Sequence, residues 1–131
     1  MPEPSDSPSG RLKILIADDG RNAADVMGLF FGMEGHETMV VYDGRAAVKA
    51  VRDFEPDVVV MDLNMPCMDG LEAARSIRAM DPDRSIRMFA CSGGSPETDR
   101  RRAIDAGFDG HLAKPVTPDM LRELLVAQSA R

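Results

Sequence analysis

The chain is short of cysteine and histidine, carries no excess of positive charge and has no long apolar run. Each shortage excludes something. The two cysteines, Cys67 and Cys91, and the two histidines, His36 and His111, stand apart from one another. They do not form the close pairs that zinc sites use. Two free thiols in a reducing cytosol are the plain reading, with a Cys67–Cys91 disulfide as the other. The formal net charge is −6, so there is no basic face to hold the phosphates of a nucleic acid. No apolar stretch approaches membrane-spanning length. The opening MPEPSDSPSG lacks the basic start and apolar run of a secretory signal. These absences predict a cytoplasmic protein that engages neither nucleic acid nor membrane, as a monomer or weak dimer.

What is present suffices for a core. Apolar residues make up 44% of 131, which excludes a disordered chain. The length fits one domain. Residues 1–10 read as a flexible Pro- and Ser-rich lead-in, 11–128 as the domain and 129–131 as a tail.

From Arg11 onward, short apolar runs alternate with longer amphipathic segments, and no internal repeat is visible. LKILIA (12–17) stops at Asp18-Asp19 and reads as a strand buried on both faces. Arg21 to Met33 predicts a helix, with Ala23, Met27, Phe30 and Phe31 on its inner side and Gly32 and Gly35 at its end. ETMVVY (37–42) is a second strand, and Asp43 caps a helix with a stripe of Ala46, Ala47, Ala50 and Val51. DVVVM (57–61) is the most β-branched run and ends at Asp62. A loop, LNMPCMDG, leads to a helix over 71–80 that Asp81-Pro82 stops. IRMFAC (86–91) is the fourth strand. Ser95-Pro96-Glu97 starts a helix that ends at Gly107, with Ser95 able to cap it. Residues 110–113 form a short fifth strand, and Thr117-Pro118 opens a last helix with Leu121, Leu124 and Leu125 inside. Strict β-α alternation predicts a parallel sheet with helices on both faces. Ligand sites of such sheets lie beyond the carboxyl ends of the strands.

Those ends carry the chemistry. Asp18 and Asp19 follow the first strand, Asp62 the third, Ser92-Gly93-Gly94 the fourth and Lys114 the fifth. Two like charges about 4 Å apart repel by about 4 kcal/mol at an effective dielectric of about 20. Stability alone does not gather carboxylates, whereas a divalent cation removes the penalty, and an all-oxygen set suits Mg²⁺. The alternative is that Asp18 and Asp19 cap the next helix. Lys114 before Pro115 reads alone as a solvated lysine, and Ser-Gly-Gly alone as a turn. Taken together, the set supplies metal ligands, a nucleophile, a hydroxyl donor and a cation.

In ILIADD (14–19), VVVMDLNMPCMDG (58–70), ACSGG (90–94) and AGFDGHLAKP (106–115), the sequence resembles the receiver domain of two-component response regulators. The likeness runs from about Arg11 to Gln128. It implies a flavodoxin-like (βα)5 three-layer sandwich, its parallel five-stranded sheet in the order 2-1-3-4-5. It also implies a regulatory phosphoacceptor rather than an enzyme. Asp62 would accept a phosphoryl group from a phosphohistidine on a sensor histidine kinase or histidine phosphotransfer protein. Asp18, Asp19, Asp62 and the backbone carbonyl of Asn64 would hold Mg²⁺, or Mn²⁺ in its place. Ser92 and Lys114 would bind the phosphoryl oxygens, with a cis Lys114–Pro115 peptide aiming the lysine inward. The face formed by the fourth helix, fifth strand and fifth helix would then change its affinity for a protein target.

Two positions depart from the family pattern. His111 stands where the family most often has Tyr or Phe as its switch residue, and two readings follow: a switch made weaker or pH-dependent, or a surface histidine. Gly20 stands where a polar side chain is expected. Arg100, Arg101 and Arg102 read as a solvated helix face. The methionines read as core filler, except that Met65 and Met68 could touch a docking partner. The expected role is a single-domain regulator, with a phosphate shuttle, a phosphate sink or the excised receiver of a hybrid kinase as alternatives. A phospho-aspartate phosphatase is disfavoured because residues 63–65 offer no carboxylate. A partner-binding pseudo-receiver is disfavoured because the Asp, Ser and Lys set is intact.

Overall fold

The apolar runs become strands because each can bury both faces. In a computed structural model, which describes residues 11–65 and 68–129, the order of elements is β1 (Lys13–Ala17), α1 (Arg21–Met33), β2 (Glu37–Val41), α2 (Gly44–Phe54), β3 (Val58–Asp62), α3 (Gly70–Met80), β4 (Arg87–Ser92), α4 (Pro96–Ala106), β5 (Gly110–Ala113) and α5 (Pro118–Ser129). The strands form one parallel sheet in the order β2-β1-β3-β4-β5, as expected. The lead-in (1–10), Cys67, the end of the tail and the side chain of Leu125 lie outside the described residues.

Strand alternation sorts the core into two layers. Leu15, Ala17, Val59, Met61, Met88 and Ala90 face α2, α3 and α4, where Ala47, Ala74, Ile77 and Ala103 close the layer. Ile14, Ile16, Val58, Val60, Phe89 and Cys91 face α1 and α5, against Phe31, Leu121 and Leu124. Central β3 is buried at every residue, whereas edge strand β2 is exposed or half-buried throughout.

Local chemistry sets the helix ends. Asp43 and Asp69 accept the backbone N–H groups of Ala46 and Glu72, at 2.7 and 2.9 Å. Thr117 Oγ1 accepts that of Met120. Ser95 occupies the N-cap position of α4 without capping it. Its hydroxyl turns instead to Thr98 Oγ1. The glycine closing α1 is Gly35, at φ 96°, while Gly32 lies inside the helix. On α1 it is Ala24, not Ala23, that is buried, and Val26, Leu29 and Met33 project outward. Met65 belongs to the core, which removes it as a docking residue, and Met68 is half-buried against it. Among the described residues no helix is long and apolar enough to cross a membrane.

Candidate functional site

Asp62 is the last residue of β3 and Asp18 directly follows β1, its neighbour in the sheet. Strand pairing therefore delivers both carboxylates to one corner. They are 4% and 2% exposed, while Asp19 stands at the surface. One oxygen from each of Asp18, Asp19 and Asp62 falls within 4.8 Å of the others.

The carboxylates are held by short backbone contacts. Asp18 Oδ1 accepts the Gly20 N–H at 2.9 Å, and Asp62 Oδ1 accepts the Asn64 N–H at 3.1 Å. The capping alternative for the acid pair fails, because the N-cap of α1 is Gly20 and no side chain caps that helix. A side chain at Gly20 would come within 3.3 Å of Asp18 Oδ1. The loop after Asp62 returns so closely that a Cβ on Gly70 would lie 2.5 Å from the Asp62 carbonyl oxygen.

Lys114 crosses from the end of β5 to the same corner. Its Nζ lies 3.1 Å from Asp62 Oδ2 and 3.5 Å from Asp18 Oδ2. The second is a charge contact rather than a hydrogen bond. Asp18 Oδ2 is thus a buried oxygen without a hydrogen-bond partner among the described residues. The Lys114–Pro115 peptide is cis. Burial raises the Asp62 carboxyl above the usual range, and the Asp18 charge adds to it. The Asn64 N–H and Lys114 pull down without prevailing. Burial also works against the Lys114 charge, but the hydrogen bond and charge of Asp62, with Asp18 behind them, raise its pKa overall. One lysine therefore offsets the acid cluster only in part.

Ser92 is the last residue of β4, 1% exposed. Its hydroxyl lies 2.6 Å from Nε2 of His111, a bond that sequence reasoning did not find. The available signal was parity: Ser92 and His111 both fall on the α4 side of their strands, whereas Leu112 packs on the α1–α5 side. The register that brings them into reach is not written locally. Of the two glycines after Ser92, Gly94 makes room for Asp99, whose Oδ2 would lie 2.7 Å from an added Cβ. Gly93 is open. Cys91 pairs with Asp62 across the sheet, yet burial pushes its thiol up to about 12. It is no nucleophile at neutral pH.

Three hard, charged carboxylates, one of which carries a buried, unbonded oxygen, form a donor set that fits Mg²⁺. Residues 14–126 match the response regulator receiver domain family. The chain belongs to that family. MtrA of Mycolicibacterium paratuberculosis, a DNA-binding response regulator, is 31% identical over 121 residues, or 92% of this chain and 51% of MtrA. The transcriptional regulatory protein PrrA of Mycobacterium tuberculosis is 31% identical over 79% of this chain and 43% of PrrA. This receiver domain thus spans about half the length of the curated relatives it matches, or less. Among solved structures, the chemotaxis response regulator CheY4 of Vibrio cholerae is 26% identical with a TM-score of 0.81, covering 88% of this chain and 97% of CheY4. The receiver domain of the sensor histidine kinase PA1611 from Pseudomonas aeruginosa is 27% identical with a TM-score of 0.83. That match covers 93% of this chain and all of the other. Its structure has magnesium coordinated in the active-site cleft.

Proposed function

We propose that this receiver domain accepts a phosphoryl group on Asp62 from a phosphohistidine donor and signals by the resulting change of charge and contact. The observation that carries the reading is the convergence of Lys114 with Asp62 and Asp18 at the end of one sheet. A carboxylate oxygen of Asp62 attacks phosphorus, the P–N bond to the donor imidazole breaks, and an acyl phosphate forms. The charge formerly on the carboxylate then sits on the phosphoryl oxygens. Lys114 follows it there, and the Ser92 hydroxyl donates to another phosphoryl oxygen. Asp18, Asp19, Asp62 and the Asn64 carbonyl would hold Mg²⁺, which neutralises charge on the transferring group. The magnesium found in the PA1611 receiver supports that assignment.

In this reading the donor is a sensor histidine kinase or a histidine phosphotransfer protein, as membership of the receiver family implies. Drawing Ser92 and Lys114 toward the phosphoryl group shifts β4 and β5, and with them the α4–β5–α5 face that a target protein reads. Reversing a 1:99 equilibrium takes about 5.5 kcal/mol, within reach of a few charge-assisted hydrogen bonds and a cation. The test is incubation with acetyl phosphate and Mg²⁺. The parent gains one phosphoryl mass and Asp62→Asn gains none. An unmodified parent overturns the proposal.

A further inference from the structure

The short bond between Ser92 and His111 assigns a task to a histidine that the phosphoacceptor set leaves unused. Ser92 is buried, and among the described residues His111 Nε2, at 2.6 Å, is the hydrogen-bond partner of its hydroxyl. A hydroxyl has one proton to give. When Nε2 is bare it accepts that proton, and Ser92 has none left for a phosphoryl oxygen. When Nε2 carries hydrogen it donates to Ser92 Oγ, and the hydroxyl proton turns to the anion. The chain Nε2–H to Oγ–H to phosphoryl oxygen then runs in one direction, each link strengthening the next.

We propose that His111 is a positioning residue whose Nε2–H, by donating to Ser92 Oγ, aims the Ser92 proton at the phosphoryl group on Asp62. This rests on the phosphoacceptor reading and deepens it, because it makes retention of the phosphoryl group depend on the imidazole proton. The doubly protonated ring always has Nε2–H. The neutral ring has one N–H to place on two nitrogens, so the donor is present only in part. The anion is therefore held more tightly when Nε2 carries hydrogen. His111 faces the α4 side of the sheet, where Glu97, Arg100, Arg101 and Asp105 border the same groove. Lys114 stands three residues on, and α5 packs with Leu112 on the opposite face.

Beryllofluoride, which replaces a phosphoryl group on a carboxylate, measures the effect at equilibrium by fluorine NMR in the presence of Mg²⁺. The parent binds it about tenfold tighter than His111→Phe, the worth of about one hydrogen bond to a charged group. His111→Gln, whose amide also donates, binds like the parent. In a Ser92→Ala background the identity of residue 111 makes no difference, and nitrogen NMR of the bound parent finds hydrogen on Nε2. A ratio near one overturns the proposal, as does an effect that survives Ser92→Ala. If acetyl phosphate leaves Asp62 unmodified, the phosphoacceptor reading falls and this one with it. If Asp62 is modified and the ratio is near one, only the role of His111 falls.

Discussion

At the scale of single residues, the two histidines do opposite things with the same ring. His111 meets a hydroxyl that can reverse its hydrogen bond. His36 meets a backbone N–H that cannot: its Nδ1 accepts from Leu12 at 3.0 Å, tying the start of β1 to the start of β2. Burial lowers the His36 pKa below its usual 6.5, although the Glu34 charge pulls the other way. A protonated Nδ1 would also point a donor at a donor. The unfolded chain therefore takes up the proton first as pH falls through about 6.5, and stability drops until the folded pKa is passed. Denaturant titrations should give a lower midpoint at about pH 5.5 than at about pH 7.5. His36→Gln, which keeps an acceptor and does not titrate, should remove that part of the slope. An unchanged slope in the variant would show that another group drives it.

At the scale of elements, the carboxyl ends of the strands hold the chemistry and the opposite end holds a clamp. Arg78, near the end of α3, donates to the Gly107 carbonyl at 2.8 Å, the Ile86 carbonyl at 2.7 Å, Asp81 at 3.0 Å and Asp109 at 2.9 Å. Its side chain is 11% exposed. One guanidinium thus ties α3 to the entry of β4 and to the turn between α4 and β5. Gly107 itself sits at φ 113°, and a Cβ there would lie 2.7 Å from Arg78 Cγ. Asp81 is buried, and its carboxyl is kept low although burial opposes this. The Ile86 N–H, the Ser85 hydroxyl and N–H, and Arg78 outweigh that penalty. Arg78→Met should cost roughly 3–5 kcal/mol, because it leaves the buried Asp81 carboxylate without its counter-charge and takes a donor from the Gly107 and Ile86 carbonyls. Arg78→Lys should recover little, since one ammonium cannot reach four acceptors in a fixed fork. Urea unfolding of the three proteins measures both, and a loss below about 1 kcal/mol would reduce the clamp to an ordinary surface pair.

At the scale of the whole molecule, the acid corner is a point where function opposes stability. Asp18, Asp19 and Asp62 repel, and among the described residues only Lys114 answers them. A cation bound to the folded state alone adds about 2.7 kcal/mol at a hundred times its dissociation constant. Mg²⁺ should therefore raise the Tm and EDTA should reverse the gain. Asp18→Asn should melt higher than the parent without Mg²⁺ and lose most of the Mg²⁺ increment. A parent whose Tm ignores Mg²⁺ would refute the cation site. Much of this architecture was legible in the linear chain. Two-sided burial makes a parallel strand apolar along its length, so LKILIA and DVVVM marked β1 and β3. Caps are satisfied within a few residues, so Asp43 and Thr117 marked the starts of α2 and α5. The resemblance carried the strand order and the candidate set. Ser95 misled because a hydroxyl three residues away competed for its bond, and Met65 misled because burial depends on how the loop after Asp62 folds back. The amino-acid order by itself determined the alternation of elements and which residues end the strands, because periodicity and capping act over a turn or two of chain. Tertiary structure alone decided the Ser92–His111 bond, the Arg78 clamp and the unbonded oxygen of Asp18, because each depends on the register and approach of segments far apart in sequence.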